Sequence, residues 1–199
     1  LMRITTPLLA ATLTLLLPAP SAAAQTATDP ALQEWEVPYS QSRPRDPMVA
    51  PDGRVWFVGQ VGNYVSVLDP KTGSFEKFDM DEGVNPHNLI VDADGTVYYS
   101  GNRASHIGRL DPETGDVEKF MMPDERARDP HTLIFDSMGD VWFTAQNGNF
   151  VGKLWTETGE VRLLETPSAP GRGGRMGSSR PYGIVMDSRD HPWIALFNT

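Results

Sequence analysis

Pro130-His131-Thr132-Leu133-Ile134-Phe135-Asp136-Ser137-Met138-Gly139-Asp140-Val141-Trp142-Phe143-Thr144 is the stretch from which the architecture can be read. It holds two short runs rich in apolar, β-branched and aromatic residues, joined at a Met138-Gly139 turn. Val151-Gly152-Lys153-Leu154 follows as a third run, Glu157-Thr158-Gly159 as a second turn and Val161-Arg162-Leu163-Leu164 as a fourth run. Gly and Pro interrupt each run before about ten residues, which is too short for a stable helix and right for strands.

The same module recurs on both sides. Upstream it is written Pro86-His87-Asn88-Leu89-Ile90-Val91-Asp92-Ala93-Asp94-Gly95, then Tyr98-Tyr99, His106-Ile107-Gly108-Arg109-Leu110, Pro112-Glu113-Thr114-Gly115 and Val117-Glu118-Lys119-Phe120. An earlier copy runs from Pro47-Met48 through Asp52-Gly53, Trp56-Phe57, Tyr64 to Leu68, Pro70-Lys71-Thr72-Gly73 and Phe75 to Phe78. A fourth opens at Pro181-Tyr182-Gly183-Ile184 and reaches Trp193-Ile194-Ala195-Leu196-Phe197. Gly53 to Gly95 is 42 positions and Gly95 to Gly139 is 44, and Gly73, Gly115 and Gly159 repeat the same intervals. A period of about 40–45 residues is that of a four-stranded propeller blade. The chain is therefore expected to be all-β, a β-propeller of four-stranded antiparallel blades, with units at 47–78, 86–120, 130–164 and 181–199. That is about three and a half blades within a domain spanning 34–199.

Glu34-Trp35-Glu36-Val37-Pro38 matches a fourth-strand position, as if the N-terminal segment completed the final blade. The segment Ala169 to Ser179, rich in Gly, Arg and Ser, lengthens the third interval and is expected to project as a loop. Arg3, the apolar run Leu8 to Leu17 and the small residues Ala22-Ala23-Ala24 read as a secretory signal peptide over 1–24, with 25–33 as linker. The protein is then expected to be periplasmic or secreted, with no membrane anchor. Its start at Leu1 ahead of Met2, and its end two strands into the fourth unit, read as a fragment of a longer, monomeric parent.

Absence of cysteine excludes disulfides, thiolate metal sites and cysteine nucleophiles. A net charge of −9, with Lys and Arg dispersed among Asp and Glu in the sequence, argues against nucleic acid as a partner. A small-molecule ligand remains. In propellers such ligands sit at the central channel mouth, where the innermost strands begin. The residues after the leading prolines, Met48, His87, His131 and Tyr182, are expected to face that axis, and imidazole suits proton exchange and hydrogen bonding there. Asn102, Gln146 and Asn198, ending the second strands, are expected to rim the mouth. Asp92-Ala93-Asp94-Gly95 resembles the start of a calcium loop, but its twelfth position is Arg103, so it is read as a hairpin turn. His191 is read as a surface residue, and no metal ligand can be assigned.

Pro130 to Thr144, Val151 to Leu154 and Thr158-Gly159 together resemble the repeat of the virginiamycin B lyase (streptogramin lyase) family. The resemblance covers residues 34 to 199. It implies a propeller of about seven blades and a carbon–oxygen lyase that opens the ester of a cyclic depsipeptide by magnesium-assisted elimination. It carries no catalytic residue onto this chain, because the family's catalytic His and Glu belong to later blades. The alternative is a non-catalytic propeller that binds a small ligand or a protein. A gluconolactonase-type hydrolase is disfavoured, since its acidic calcium ligands have no match in the sequence.

Overall fold

Alternating side chains along each run give every sheet two apolar faces, and this two-sidedness governs how the sheets assemble. The computed structural model describes residues 32–170 and 176–198. Residues 1–24, expected to be a signal peptide, and most of the expected 25–33 linker lie outside the described residues.

Four strands, β1 (Pro44–Val49), β2 (Val55–Gly59), β3 (Tyr64–Asp69) and β4 (Ser74–Asp79), form the first antiparallel sheet in the order β1-β2-β3-β4. β5 (Leu89–Val91), β6 (Val97–Gly101), β7 (His106–Leu110) and β8 (Val117–Met121) form the second in the same way. The third consists of β9 (Pro130–Phe135), β10 (Val141–Ala145), β11 (Phe150–Leu154) and β12 (Val161–Glu165). The Ala169 to Ser179 segment carries a small hairpin of β13 (Ala169–Pro170) and β14 (Met176–Gly177), with residues 171–175 outside the described residues. β15 (Pro181–Met186) and β16 (Pro192–Leu196) pair as the first half of a fourth blade.

The turns between first and second strands are locked by one recurring carboxylate. Asp92 Oδ1 accepts the backbone N–H groups of Asp94 and Thr96, both at 2.9 Å, while Gly95 takes φ +92°. Asp136 and Asp187 repeat these bonds three residues before Gly139 and Asp190. The Asp92 motif is thus a hairpin turn whose carboxylate is engaged by its own backbone.

Blade-to-blade packing follows the period of two. Leu89, Val91, Val97, Tyr99 and Leu110 face the first blade and pack with Trp56, Val58, Val65 and Val67. Ile90, Tyr98, Ile107 and Phe120 face the third and meet Leu133, Val141, Phe143 and Leu154. Burial of each such side chain stabilises by about 1.5–3 kcal/mol. Trp56 is 1% exposed and Tyr98 4%, whereas Trp193, at the equivalent place in the fourth unit, is 64% exposed. The first residue of each aromatic pair therefore serves the contact with a following blade. First strands touch in series, β1 to β5, β5 to β9 and β9 to β15, so the sheets are arrayed like wedges with their first strands innermost.

Close approach within each blade depends on glycine. Tyr99 stands opposite Gly108 and Phe143 opposite Gly152 across neighbouring strands. A Cβ on Gly152 would fall inside the Phe143 ring's van der Waals envelope.

Glu34 to Pro38 joins no ladder among the described residues, which do not include the final blade that this segment is expected to complete. Trp35 and Val37 instead lie against Phe57, Leu68 and Phe75 on the outer face of the first blade. Tyr39 packs edge-on to Tyr64 and Phe75.

Gly152→Ala is predicted to destabilise the fold by about 1–3 kcal/mol through overpacking. Gly177→Ala, where no atom lies within 4 Å of the added methyl, should be close to neutral. Urea unfolding midpoints measure both, and equal midpoints would contradict the packing assigned to Phe143.

Candidate functional site

Counting back nine positions from each turn residue (Gly53, Gly95, Gly139 and Asp190) leads to Pro44, Pro86, Pro130 and Pro181. The residues that follow them, Arg45, His87, His131 and Tyr182, occupy equivalent places at the start of the innermost strands. Arg45 replaces Met48 in this set. Pro44, not Pro47, opens β1, and it pairs with Gly59 as Pro130 pairs with Ala145 and Pro181 with Leu196. Met48 packs between the two hydrophobic clusters, and its sulfur accepts the Val91 N–H at 3.3 Å.

The four positions are built by a shared backbone device. The residue before each proline has positive φ: Arg43 48°, Asn85 46°, Asp129 67° and Arg180 52°. Non-glycine residues adopt this conformation at a cost of order 1–3 kcal/mol, and such strain tends to gather at functional sites. Neighbouring blades then fix the carbonyls beside it. The buried Ser100 hydroxyl donates to the His131 carbonyl oxygen at 3.1 Å, and the buried Thr144 hydroxyl to that of Tyr182 at 2.8 Å.

Convergence is close. The His87 and His131 rings are 3.7 Å apart between centroids, and those of His131 and Tyr182 are 4.3 Å apart. Both imidazoles are buried, His87 at 7% and His131 at 5% exposure, while Tyr182 is 40% exposed. His131 Nδ1 lies 3.0 Å from the Thr132 hydroxyl.

Seven residues past each turn lies the rim: Gln60, Asn102, Gln146 and Phe197. The structure thus places Asn102 and Gln146 at the mouth, whereas Asn198 falls one position beyond it. Phe197 N–H makes the rim bond to the Arg180 carbonyl, while Asn198 is exposed and its amide reaches the Ser178 carbonyl at 3.4 Å. Gln60 completes the set. Arg45 Nη1 donates to Gln60 Oε1 at 3.1 Å, Gln60 Nε2 to Asn102 Oδ1 at 3.5 Å and Arg180 Nη2 to Gln146 Oε1 at 3.3 Å. Asn102 Nδ2 donates to the Asp129 carboxylate and, at 3.0 Å, to the Pro130 carbonyl oxygen.

Inside the rim is a cavity of about 740 Å³, lined by His87, His131 and four arginines, Arg43, Arg45, Arg103 and Arg128, with Asp129 the one carboxylate. Burial above all, then the neighbouring His131 and the cations Arg45 and Arg43, pushes the His87 pKa down to about 3. Burial, then Arg45 and Arg180, pushes that of His131 down to about 4. Asp46 Oδ2 lies 3.5 Å from His87 Nδ1. Both rings are neutral at physiological pH, which makes them weak bases but able hydrogen-bond donors. Burial raises the Asp129 carboxyl pKa, against the bond from Asn102.

Magnesium requires a set of oxygen ligands in octahedral geometry. The described part of the mouth offers guanidinium groups, neutral imidazoles, the amides of Gln60, Asn102 and Gln146 and a single carboxylate, Asp129, and among the described residues no three His, Asp or Glu side chains stand close enough to share a metal ion. These residues do not fit the magnesium that the family resemblance implies. His191 is exposed on the surface, with Nδ1 3.2 Å from the Asp187 carboxylate.

The family model of the Virginiamycin B lyase family matches residues 21–199. The chain belongs to this family. A catalytically inactive histidine-to-alanine variant of virginiamycin B lyase from Staphylococcus aureus, crystallised with quinupristin, superposes with a TM-score of 0.72 at 25% identity. The match covers 82% of this chain and 52% of that one, so the chain spans about half its length. A streptogramin B lyase structure gives a TM-score of 0.65 at 20% identity, over 83% of this chain and 66% of that one. A putative gluconolactonase, with TM-score 0.59, 12% identity and coverage of 78% and 56%, shares the fold alone. Comparison with curated proteins returns no match.

Titration of the imidazole C–H resonances by NMR should give half-protonation near pH 3 for His87 and near pH 4 for His131. Unfolded histidines titrate at about 6.5, so the unfolded chain binds more protons between these values, and stability should fall as pH drops below about 6.5. Midpoints at or above 6.5 would contradict the buried, cation-flanked setting.

Proposed function

We propose that this chain supplies a ligand-holding arc of an exported virginiamycin B lyase-type propeller, a carbon–oxygen lyase that opens a cyclic ester by elimination. The observation that carries the reading is the row His87, His131 and Tyr182, gathered from three successive blades at one mouth. In such an elimination a base removes the proton beside a carbonyl, its electrons form the carbon–carbon double bond, and the alkyl carbon–oxygen bond breaks. The ester acyl group leaves as a carboxylate. Charge builds first on the carbonyl oxygen and then on the departing carboxylate, so fixed donors aimed at those oxygens lower the barrier.

His87 and His131, held neutral, suit the donor role rather than that of base, because a group with so low a pKa takes up a carbon-bound proton poorly. Arg45, anchored to Gln60, adds a fixed positive charge beside them. The base is not assigned to a described residue.

A second reading is a propeller that binds its ligand without transforming it, a role that the buried, neutral His87 and His131 suit as hydrogen-bond donors. Incubation of a propeller that joins this arc to the further blades implied by the family resemblance with a streptogramin B in magnesium-containing buffer separates the two by mass spectrometry. The lyase reading predicts a linear product of unchanged mass. Gain of one water would contradict it in favour of hydrolysis, and binding without conversion would leave the second reading standing.

A further inference from the structure

The chain carries a net charge of −9, yet the lining of the channel mouth is cationic, with Arg43, Arg45, Arg103 and Arg128 against Asp129. Arginines at a rim could be no more than a solvated edge. A second observation argues against that. Among the described residues, the buried side-chain nitrogens and oxygens without a hydrogen-bond partner are Arg45 Nε, His87 Nδ1 and Arg180 Nε. All three belong to this mouth. Asp46 Oδ2 lies 3.5 Å from both Arg45 Nε and His87 Nδ1, an ion pair with Arg45 that still leaves both nitrogens without a hydrogen bond. Unmade bonds to buried donors are costly and rare, and their clustering marks a place where an acceptor is missing.

We propose that the mouth is an anion site for the carboxylate of a small organic molecule, with Arg45 and Arg43 as its charged donors and His87 as a neutral one. Guanidinium groups match carboxylates through paired, charge-assisted hydrogen bonds. The cavity has the size of a site for a drug-sized ligand rather than for a lone inorganic ion. The tilted row of His87, His131 and Tyr182 offers flat faces for the rest of the ligand. Opposite signs on mouth and body would also steer an anion to this one place, an effect that weakens with salt.

This goes beyond the elimination reading, since binding an acid requires no turnover. Where that reading holds, the same site receives the carboxylate that ring opening releases.

The test compares N-acetylphenylglycine with its methyl ester, a pair that differs in charge but hardly in shape, by calorimetry on the whole chain. The acid should bind about tenfold or more tightly than the ester, as expected for charge-assisted bonds. Arg45→Gln should erase the difference, and Arg162→Gln, at an exposed site outside the mouth, should leave it intact. Circular dichroism of each variant separates lost binding from lost fold; if Arg45→Gln is unfolded, Arg43→Gln takes its place. Equal affinities for acid and ester, no binding of either, or loss with Arg162→Gln would overturn the proposal. Displacement of the acid by an equal concentration of inorganic phosphate would overturn the choice of carboxylate. Failure of the lyase assay with a retained acid preference would leave this site standing while removing the elimination reading.

Discussion

Burial of both faces of each sheet is the constraint from which the rest follows. Tyr98 and Tyr99 are sequence neighbours whose side chains leave opposite faces of β6, and both are almost fully buried because blades stand on either side. A sheet with two apolar faces cannot be satisfied by one partner. It demands a series, and sheets whose first strands touch while the later strands spread apart form an arc. Glycine sets the thickness of each wedge: Gly108 and Gly152 leave the space that the Tyr99 and Phe143 rings fill.

That arrangement creates the site as a by-product of closure. Arg45, His87, His131 and Tyr182 are 42, 44 and 51 positions apart in the chain, and the wedge geometry brings them to one mouth. Once there, they alter one another. Burial does most to raise the cost of protonating the imidazoles, and the arginines brought in by the fold add to it. The result is a polar, cationic, partly unsatisfied pocket in an acidic protein.

Much of this was legible in the residues. Turn glycines at constant intervals and the aromatic pairs gave the blades, the strand order and the places of His87, His131, Asn102 and Gln146. Two site positions were misread for one reason: they were found by residue likeness rather than by distance from the turn. Pro47 resembles Pro86, but the nine-residue interval points to Pro44 and hence Arg45; Asn198 resembles Asn102, but the seven-residue interval points to Phe197. The arginine mouth was hidden more deeply. Arg43, Arg103 and Arg128 look dispersed in the chain, and their convergence exists only once strands from separate blades share a centre.

The central claim is that residues one period apart meet at a single mouth. Because the chain has no cysteine, two can be placed at will. His87→Cys and His131→Cys, combined and treated with a fluorogenic bis-alkylating reagent that reports only two thiols within its short reach, test the claim directly. Strong fluorescence from that pair, with none from His87→Cys combined with Met138→Cys, is the predicted result. Silence from the 87 and 131 pair in folded protein would contradict the account.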